Sequence, residues 1–146
     1  MIEIACKYNS LTGEILFNLR NLIGWGNTTI PQAEKAVKNS IFHVVAFDGD
    51  KIVGIGRLVG DGALIWYIED LIVIPEYQKR GIGTLIMEQL LGYIEKNSVP
   101  GSCTIIGLMS TKGKEAFYQK FGFRLFPNEH EGAGMELNKV IPRVCN

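Results

Sequence analysis

A glycine-rich basic segment is the part of this sequence best suited to bind an anion. It reads Gln78-Lys79-Arg80-Gly81-Ile82-Gly83 and opens an amphipathic stretch that predicts a helix over 81–96. The first amides of a helix lack intrahelical partners and carry partial positive charge, and glycine lets the backbone approach a phosphate closely. Lys79 and Arg80 add side-chain charge. A simple turn is the alternative, because Gly-x-Gly alone is also a turn sequence.

Two familiar phosphate-binding motifs do not fit this segment. A nucleotide-hydrolase P-loop needs Gly-Lys-Ser/Thr after its glycines, whereas Gly83 is followed by Thr84 and Leu85. A dinucleotide fingerprint needs a third glycine where this chain has Ile86. Both interpretations are therefore set aside.

An acidic pair, Glu69 and Asp70, interrupts the apolar strand predicted over 63–74. Strand alternation sends the two side chains to opposite faces unless a bulge intervenes. Because a buried carboxylate is unfavourable without a partner, at least one of them is expected to line a cavity. A strand end that reaches solvent is the alternative.

Composition and charge narrow the classes of partner. The formal net charge is zero, which argues against a nucleic-acid partner held by a general basic field. No signal peptide or membrane span is predicted, and three scattered cysteines (Cys6, Cys103 and Cys145) indicate reduced thiols in a cytoplasmic protein. Cys103 is expected to be buried. No metal site is predicted, since His43 and His130 lie far apart in the sequence.

The elements that must position these residues follow from hydrophobic periodicity. The first half predicts two helices and a β-hairpin, at 11–23, 31–39, 41–47 and 52–59. The second half predicts strands and helices at 63–74, 81–96, 103–109, 112–121, 123–126 and 135–141. This order implies an α/β protein with a mixed sheet and helices on its faces, in a single domain over 1–146.

The extended pattern resembles the GNAT superfamily of acyl-CoA-dependent N-acetyltransferases. Their signature, Gln/Arg-x-x-Gly-x-Gly/Ala, is matched by Gln78, Gly81 and Gly83 between a strand and a long helix. A second segment, EAFYQKFGF over 115–123, is similar to the family's Ala-x-x-Phe-Tyr-x-x-x-Gly-Phe. The resemblance covers about 42–126. It implies a mostly antiparallel central sheet of six or seven strands flanked by four helices.

The resemblance also implies acetyl-CoA as co-substrate, with no metal. Backbone groups of Leu71, Ile72 and Val73 would pair with the pantetheine arm between two splayed strands. The pyrophosphate would lie on the segment Gln78, Lys79, Arg80, Gly81, Ile82, Gly83 and Thr84. A turn residue that is often Asn in the family falls at Ser110-Thr111-Lys112, so Thr111 is the expected contact there, although the chain departs from the pattern.

Catalytic roles are implied in the same way. Tyr118 occupies the place of a tyrosine that commonly acts as general acid, although by itself it is better explained as an aromatic that packs beside Phe117 and Phe121. The Glu-Asp-x-x-Val arrangement is similar to that of the polyamine N-acetyltransferases, which makes Glu69 the base, through water, and Asp70 structural. By strand alternation Tyr67 shares the face of Glu69. The resemblance implies that Trp25 walls the acceptor pocket, and a small-core or surface tryptophan is the alternative.

The sequence therefore predicts an N-acetyltransferase that acts on a small-molecule amine by direct transfer, with neither nucleic acid nor membrane as partner. The resemblance is also compatible with a homodimer. A protein or peptide N-acetyltransferase is one alternative. The other is a non-catalytic acyl-CoA-binding sensor, which would keep the glycine-rich segment and tolerate loss of Glu69 and Tyr118.

Overall fold

A five-stranded sheet organises the first part of the chain in the computed structural model, which describes residues 3–144. The strands follow chain order across the sheet: β1 (Ile4–Tyr8), β2 (Phe42–Asp48), β3 (Lys51–Gly60), β4 (Ile65–Val73) and β5 (Ile105–Gly107). The first four pair antiparallel, and β5 runs parallel to β4. The predicted mixed, mostly antiparallel sheet is confirmed, although the described residues form five strands and not six or seven.

Residues 3–144 contain four α-helices: α1 (Gly13–Leu22), α2 (Ile30–Lys38), α3 (Ile82–Asn97) and α4 (Glu115–Gln119). All four lie within segments predicted as helical, give or take one residue. α2 begins as its sequence dictates, since Thr29 and Gln32 form a reciprocal capping box and Pro31 occupies the first turn. No helix among residues 3–144 is long and apolar enough to cross a membrane.

α3 packs on one face of the sheet through two glycines of β3. A Cβ at Gly56 would stand 2.7 Å from Cγ2 of Ile86 and 3.0 Å from Cδ1 of Leu90, and Gly54 is similarly crowded. These glycines let the buried side of α3 approach the sheet closely. Because strand side chains alternate, Arg57 then projects toward the opposite face.

The described residues form two compact units, divided after Met109. The second unit contains α4, which Gly122 follows in a left-handed conformation (φ 93°). The single-domain organisation expected for 1–146 stays a prediction.

The strands predicted over 123–126 and 135–141 are wrong. Neither segment is a strand, and the apolar residues of the second are mostly exposed: Met135, Leu137, Val140 and Ile141. Apolar spacing produces a strand only where a neighbour completes the backbone hydrogen bonds and covers one face. The prediction also missed β1, an edge strand whose residues are half-buried or exposed and so show little periodicity.

Candidate active site

The glycine-rich segment forms an open helix N-terminus. Lys79 and Gly81 both adopt left-handed backbone conformations (φ 61° and 83°), and Gly81 is the N-cap of α3. No side chain caps this end, and the amide of Leu85 closes the first turn on the carbonyl of Gly81 at 3.0 Å. The preceding amides of the first turn are therefore available to an anion.

The segment is fastened to the end of β4. Nε2 of Gln78 donates to the carbonyl oxygen of Val73 at 3.0 Å, so two residues predicted to contact the cofactor are bonded to each other. The guanidinium of Arg80 lies 5.1 Å from the ring centroid of Tyr77. The Tyr77 hydroxyl donates to Asp48 at 2.6 Å, and this hydrogen bond raises the Tyr77 pKa. These contacts fix the position of the segment 78–83, which we call the cradle.

β5 pairs with β4 only over the first third of β4. Their register runs from Ile65 opposite Ile105 to Tyr67 opposite Gly107, where the pairing ends. β4 itself continues to Val73. Leu71, Ile72 and Val73 therefore lie beyond the last position paired with β5, next to the cradle.

A β-bulge separates the two acidic residues. Ile55 pairs with Ile72 and Arg57 pairs with Glu69, so that Asp70 and Leu71 together face the single residue Gly56. Asp70 adopts a left-handed conformation (φ 49°) at this point. The bulge re-aims its carboxylate, as bulges beside functional sites often do.

Asp70 is fully buried and neutralised by two arginines. Its Oδ1 accepts from Nη1 of Arg20 on α1, and its Oδ2 accepts from Nε of Arg57 at 2.7 Å. Arg57 also donates to Oγ of Ser40 at 3.3 Å, which in turn donates to the carbonyl oxygen of Ala36 in α2. We call Arg20, Arg57, Asp70 and Ser40 the Asp70 cluster. Its position supports the structural role predicted for Asp70.

Glu69 is half-buried beside this cluster. Burial raises its pKa most, and the negative charge of Asp70 raises it further, while Arg57 and Arg20 act in the opposite direction. The register places Tyr67 opposite Val59, two positions from the Arg57–Glu69 pair, so Tyr67 and Glu69 share a face as predicted. Glu69 is thus a carboxylate with raised proton affinity.

Trp25 lies in the loop 23–29 between α1 and α2 and is 36% exposed. Its ring centroid is 5.5 Å from the guanidinium carbon of Arg20, and its amide donates to the Arg20 carbonyl at 2.8 Å. Nε of Arg20 donates to Oγ1 of Thr28 at 2.9 Å. The structure therefore brings Trp25 and the Glu69–Asp70 segment into one connected group through Arg20.

Tyr118 and Thr111 lie in the second unit. Tyr118 is on α4, where its ring packs edge-on against Phe117 (5.1 Å between centroids) and Phe123 (6.2 Å). Burial raises the pKa of its hydroxyl. Thr111 is exposed in a turn that the amide of Lys114 closes on the Thr111 carbonyl. Their assigned roles stay predictions.

The remaining reactive side chains have structural or surface positions. His43 is buried, its Nδ1 accepts from the Leu11 amide at 3.0 Å, and burial and Arg57 lower its pKa, so the ring is neutral. Cys103, predicted to be buried, is exposed because it precedes β5 and has no place in the sheet. Cys145 lies outside the described residues.

Sequence reasoning missed Arg20 and Arg57. Arg57 interrupts the apolar run 52–59, just as the acidic pair interrupts the apolar run 63–74. A charged residue within each of two apolar strands could have been used to predict the pairing. Two opposite charges in neighbouring apolar strands favour a buried pair. Arg20 gave no such signal, since it lies near the end of an amphipathic helix.

Residues 25–139 match the family model described as the acetyltransferase (GNAT) domain. The chain is 28% identical over 116 residues to an uncharacterized N-acetyltransferase of Prochlorococcus marinus, which covers 77% of this chain and 62% of that protein. It is 29% identical over 112 residues to the uncharacterized N-acetyltransferase YjcF of Bacillus subtilis, covering 75% and 76%. The chain thus spans less than two thirds of the Prochlorococcus relative.

Two solved structures are also similar over nearly the whole chain. A Staphylococcus aureus protein of unknown function superposes with a TM-score of 0.82 at 33% identity, covering 94% of this chain and 100% of its own. A GNAT-family acetyltransferase from Streptococcus pneumoniae gives 0.78 at 29% identity, with coverage of 94% and 100%.

Proposed function

Because this chain belongs to the GNAT acetyltransferase family, we propose that it moves an acetyl group from acetyl-CoA to the amine of a small molecule, by direct transfer in a ternary complex. The observation that carries the proposal is the uncapped N-terminus of α3, which lies beside the part of β4 that extends beyond its pairing with β5. A helix N-terminus of this kind suits a pyrophosphate.

The residues present fit acetyl-CoA as co-substrate. Gly81 has no heavy atom within 4 Å of the place where a Cβ would stand, so its backbone can be approached closely. Lys79 and Arg80 are exposed and can offer positive charge to phosphate. The segment from Leu71 to Val73 offers main-chain groups to the amides of the pantetheine arm, as an edge strand does to an added one.

Glu69 serves as the base in this proposal. An amine of lysine-like pKa is almost wholly protonated at neutral pH, which adds roughly 4–5 kcal/mol to the barrier. A carboxylate that accepts the proton through a water removes part of it. The raised pKa makes Glu69 a stronger base than a solvated carboxylate.

The bonds and protons then balance as follows. The amine nitrogen forms a bond to the thioester carbonyl carbon, and the carbon–sulfur bond breaks. Glu69 receives one proton of the protonated amine through water before the attack and later releases it to solvent. Tyr118, assigned from the family resemblance, gives its proton to the departing thiolate, and the second proton lost by the nitrogen returns through water to the tyrosine oxygen. Burial keeps the Tyr118 hydroxyl protonated at neutral pH, as a donor requires.

Only one of the two neighbouring acids, Glu69 and Asp70, is available to give the acceptor site negative charge. The side chain of Asp70 is 0% exposed and paired with two arginines, so it cannot bind a cationic acceptor. Glu69 is the remaining carboxylate of the pair. This balance disfavours a polycationic acceptor, despite the local similarity to polyamine N-acetyltransferases, and favours a mono-amine.

The test is CoA release from acetyl-CoA over a panel of monoamines, polyamines, aminosugars, aminoglycosides and peptides, with acetyl-CoA binding measured by calorimetry in parallel. Release with a monoamine that exceeds release with a polyamine is expected. Tight binding without release from any amine would favour the sensor alternative, and release with peptides alone would favour a protein acetyltransferase. Failure to bind acetyl-CoA would contradict the proposal outright.

A further inference from the structure

Arg20 makes contacts to two parts of the proposed acceptor site at once. One nitrogen of its guanidinium group, Nη1, donates to Asp70 on β4, and another, Nε, donates to Thr28 in the loop 23–29. The same group lies over the ring of Trp25. The planar fork of arginine allows all three contacts together, which a lysine ammonium on a single bond could not reproduce.

The loop 23–29 contains two glycines and two left-handed positions. Gly24 and Asn27 adopt left-handed conformations, and neither Gly24 nor Gly26 has a heavy atom within 4 Å of its virtual Cβ. Most of the loop is exposed. Such a segment is ordered only by specific contacts, because few apolar contacts hold it.

The other end of the second helix is tied to the same carboxylate. Asp70 binds Arg57, Arg57 donates to Ser40, and Ser40 donates to the last turn of α2. Asp70 is therefore connected to the chain on both sides of the loop. Before the loop it bonds directly to Arg20 near the end of α1, and after the loop it is linked through Arg57 to Ser40, which follows α2. One buried group fixes both supports of the loop.

We infer that Arg20 is a positioning residue, which holds the loop 23–29 and its Trp25 at a fixed position relative to Glu69 and Asp70 on β4. The inference rests on the proposed function, because it takes the loop and Glu69 to be parts of one acceptor site. Arg20 touches no reacting atom. It acts by giving the acceptor wall and the base a common anchor.

Thr28→Val tests this with the least damage to the fold. Valine keeps the shape of the side chain and removes only the oxygen that accepts from Arg20. The KM for the amine should rise about tenfold, since a hydrogen bond to a charged group is lost, while kcat and acetyl-CoA affinity stay unchanged. Arg20→Lys, which keeps the charge, should show the same pattern. Ser10→Ala, which removes a hydroxyl before α1, is the control and should change neither constant.

Tryptophan quenching gives a readout that needs no substrate. Trp66 is 1% exposed, so acrylamide quenching of the two tryptophans reports chiefly on Trp25, and a Trp25→Phe variant supplies the background. Quenching of Trp25 should increase in Thr28→Val and in Arg20→Lys as the loop is released.

The outcomes separate the two proposals. Unchanged quenching in both variants would overturn the tether, whatever the activity. Increased quenching with an unchanged amine KM would overturn the positioning role. Increased quenching in a protein that releases CoA with no amine would support the tether and contradict the proposed function.

Discussion

Arg57 lies opposite Glu69 in the β3–β4 register, yet its Nε donates to Asp70 at 2.7 Å. The bulge at Asp70 explains this choice, because the left-handed conformation there turns the second acid toward the guanidinium. One acid is thereby neutralised by its arginines. The neighbouring acid keeps a raised pKa and remains suited to accept a proton.

Glu69→Gln should lower kcat/KM by about 10²-fold at neutral pH, which is a usual contribution of a general base. The deficit should shrink as pH approaches the pKa of the amine, because the acceptor then loses its proton unaided. The measurement is the pH dependence of kcat/KM. Glu88→Gln, which removes an exposed charge from α3, is the matched control. A deficit that is equal at every pH would contradict the assignment.

Gly81→Ala should weaken acetyl-CoA binding about tenfold, since a left-handed alanine costs roughly 1–2 kcal/mol and the helix start would shift to relieve it. Gly101→Ala is a close control, with φ 78° against 83° and open space at the virtual Cβ in both. Gly101 follows the far end of α3, about 24 Å along the helix. Calorimetric titration should show the loss in Gly81→Ala alone, and equal affinities would refute the cradle.

Tyr118→Phe should lower kcat by about 10²-fold and leave acetyl-CoA affinity unchanged, because the variant removes a proton donor and keeps the ring. Partial burial raises the pKa of the Tyr118 hydroxyl, so the loss should be present throughout the neutral range. Steady-state rates with saturating acetyl-CoA measure it. Tyr93→Phe, which removes a hydroxyl from a ring stacked on Phe42, should have little effect on the rate. An unchanged rate in Tyr118→Phe would remove the catalytic role.

Asp70→Asn should destabilise the fold by about 3 kcal/mol, because it leaves two arginines facing a neutral group. The side chain of Arg57 is 12% exposed and that of Arg20 is 26%, so solvent relieves the loss only in part. Urea unfolding of Asp70→Asn and of the exposed turn variant Asp50→Asn makes the comparison. A difference below about 1 kcal/mol would place the pairs among weak surface contacts.

The helix start was predictable because its determinants are local. Glycine at 81 supplies the left-handed cap, and the apolar spacing that follows specifies α3. The bulge was not predictable, since it depends on how Gly56 and α3 pack against β4. Arg20 was missed for a related reason, as it is 50 positions from Asp70 and only the fold brings them together.

The segment 135–141 marks the opposite failure. Its apolar residues satisfy a strand pattern locally, yet Met135 is 92% exposed and Leu137 88% exposed. A pattern states which side chains could share a buried face. It does not supply the neighbouring strand that would bury them.

Arg20→Met should shift the acidic limb of the rate profile to higher pH, whereas Arg20→Lys should not. The charged groups acting on Glu69 are Asp70 on its own strand, Arg57 on β3 and Arg20 on α1. A cation lowers the pKa of a carboxylate, so loss of the Arg20 charge lets the Glu69 pKa rise further, and more acid-side activity is lost. Lysine keeps that charge, and both variants release the loop.

The measurement is kcat/KM against pH for the two variants, with Lys35→Met on the exposed face of α2 as control. If the acidic limb of the kcat/KM profile is identical in the two Arg20 variants, Arg20 acts on the site through geometry alone.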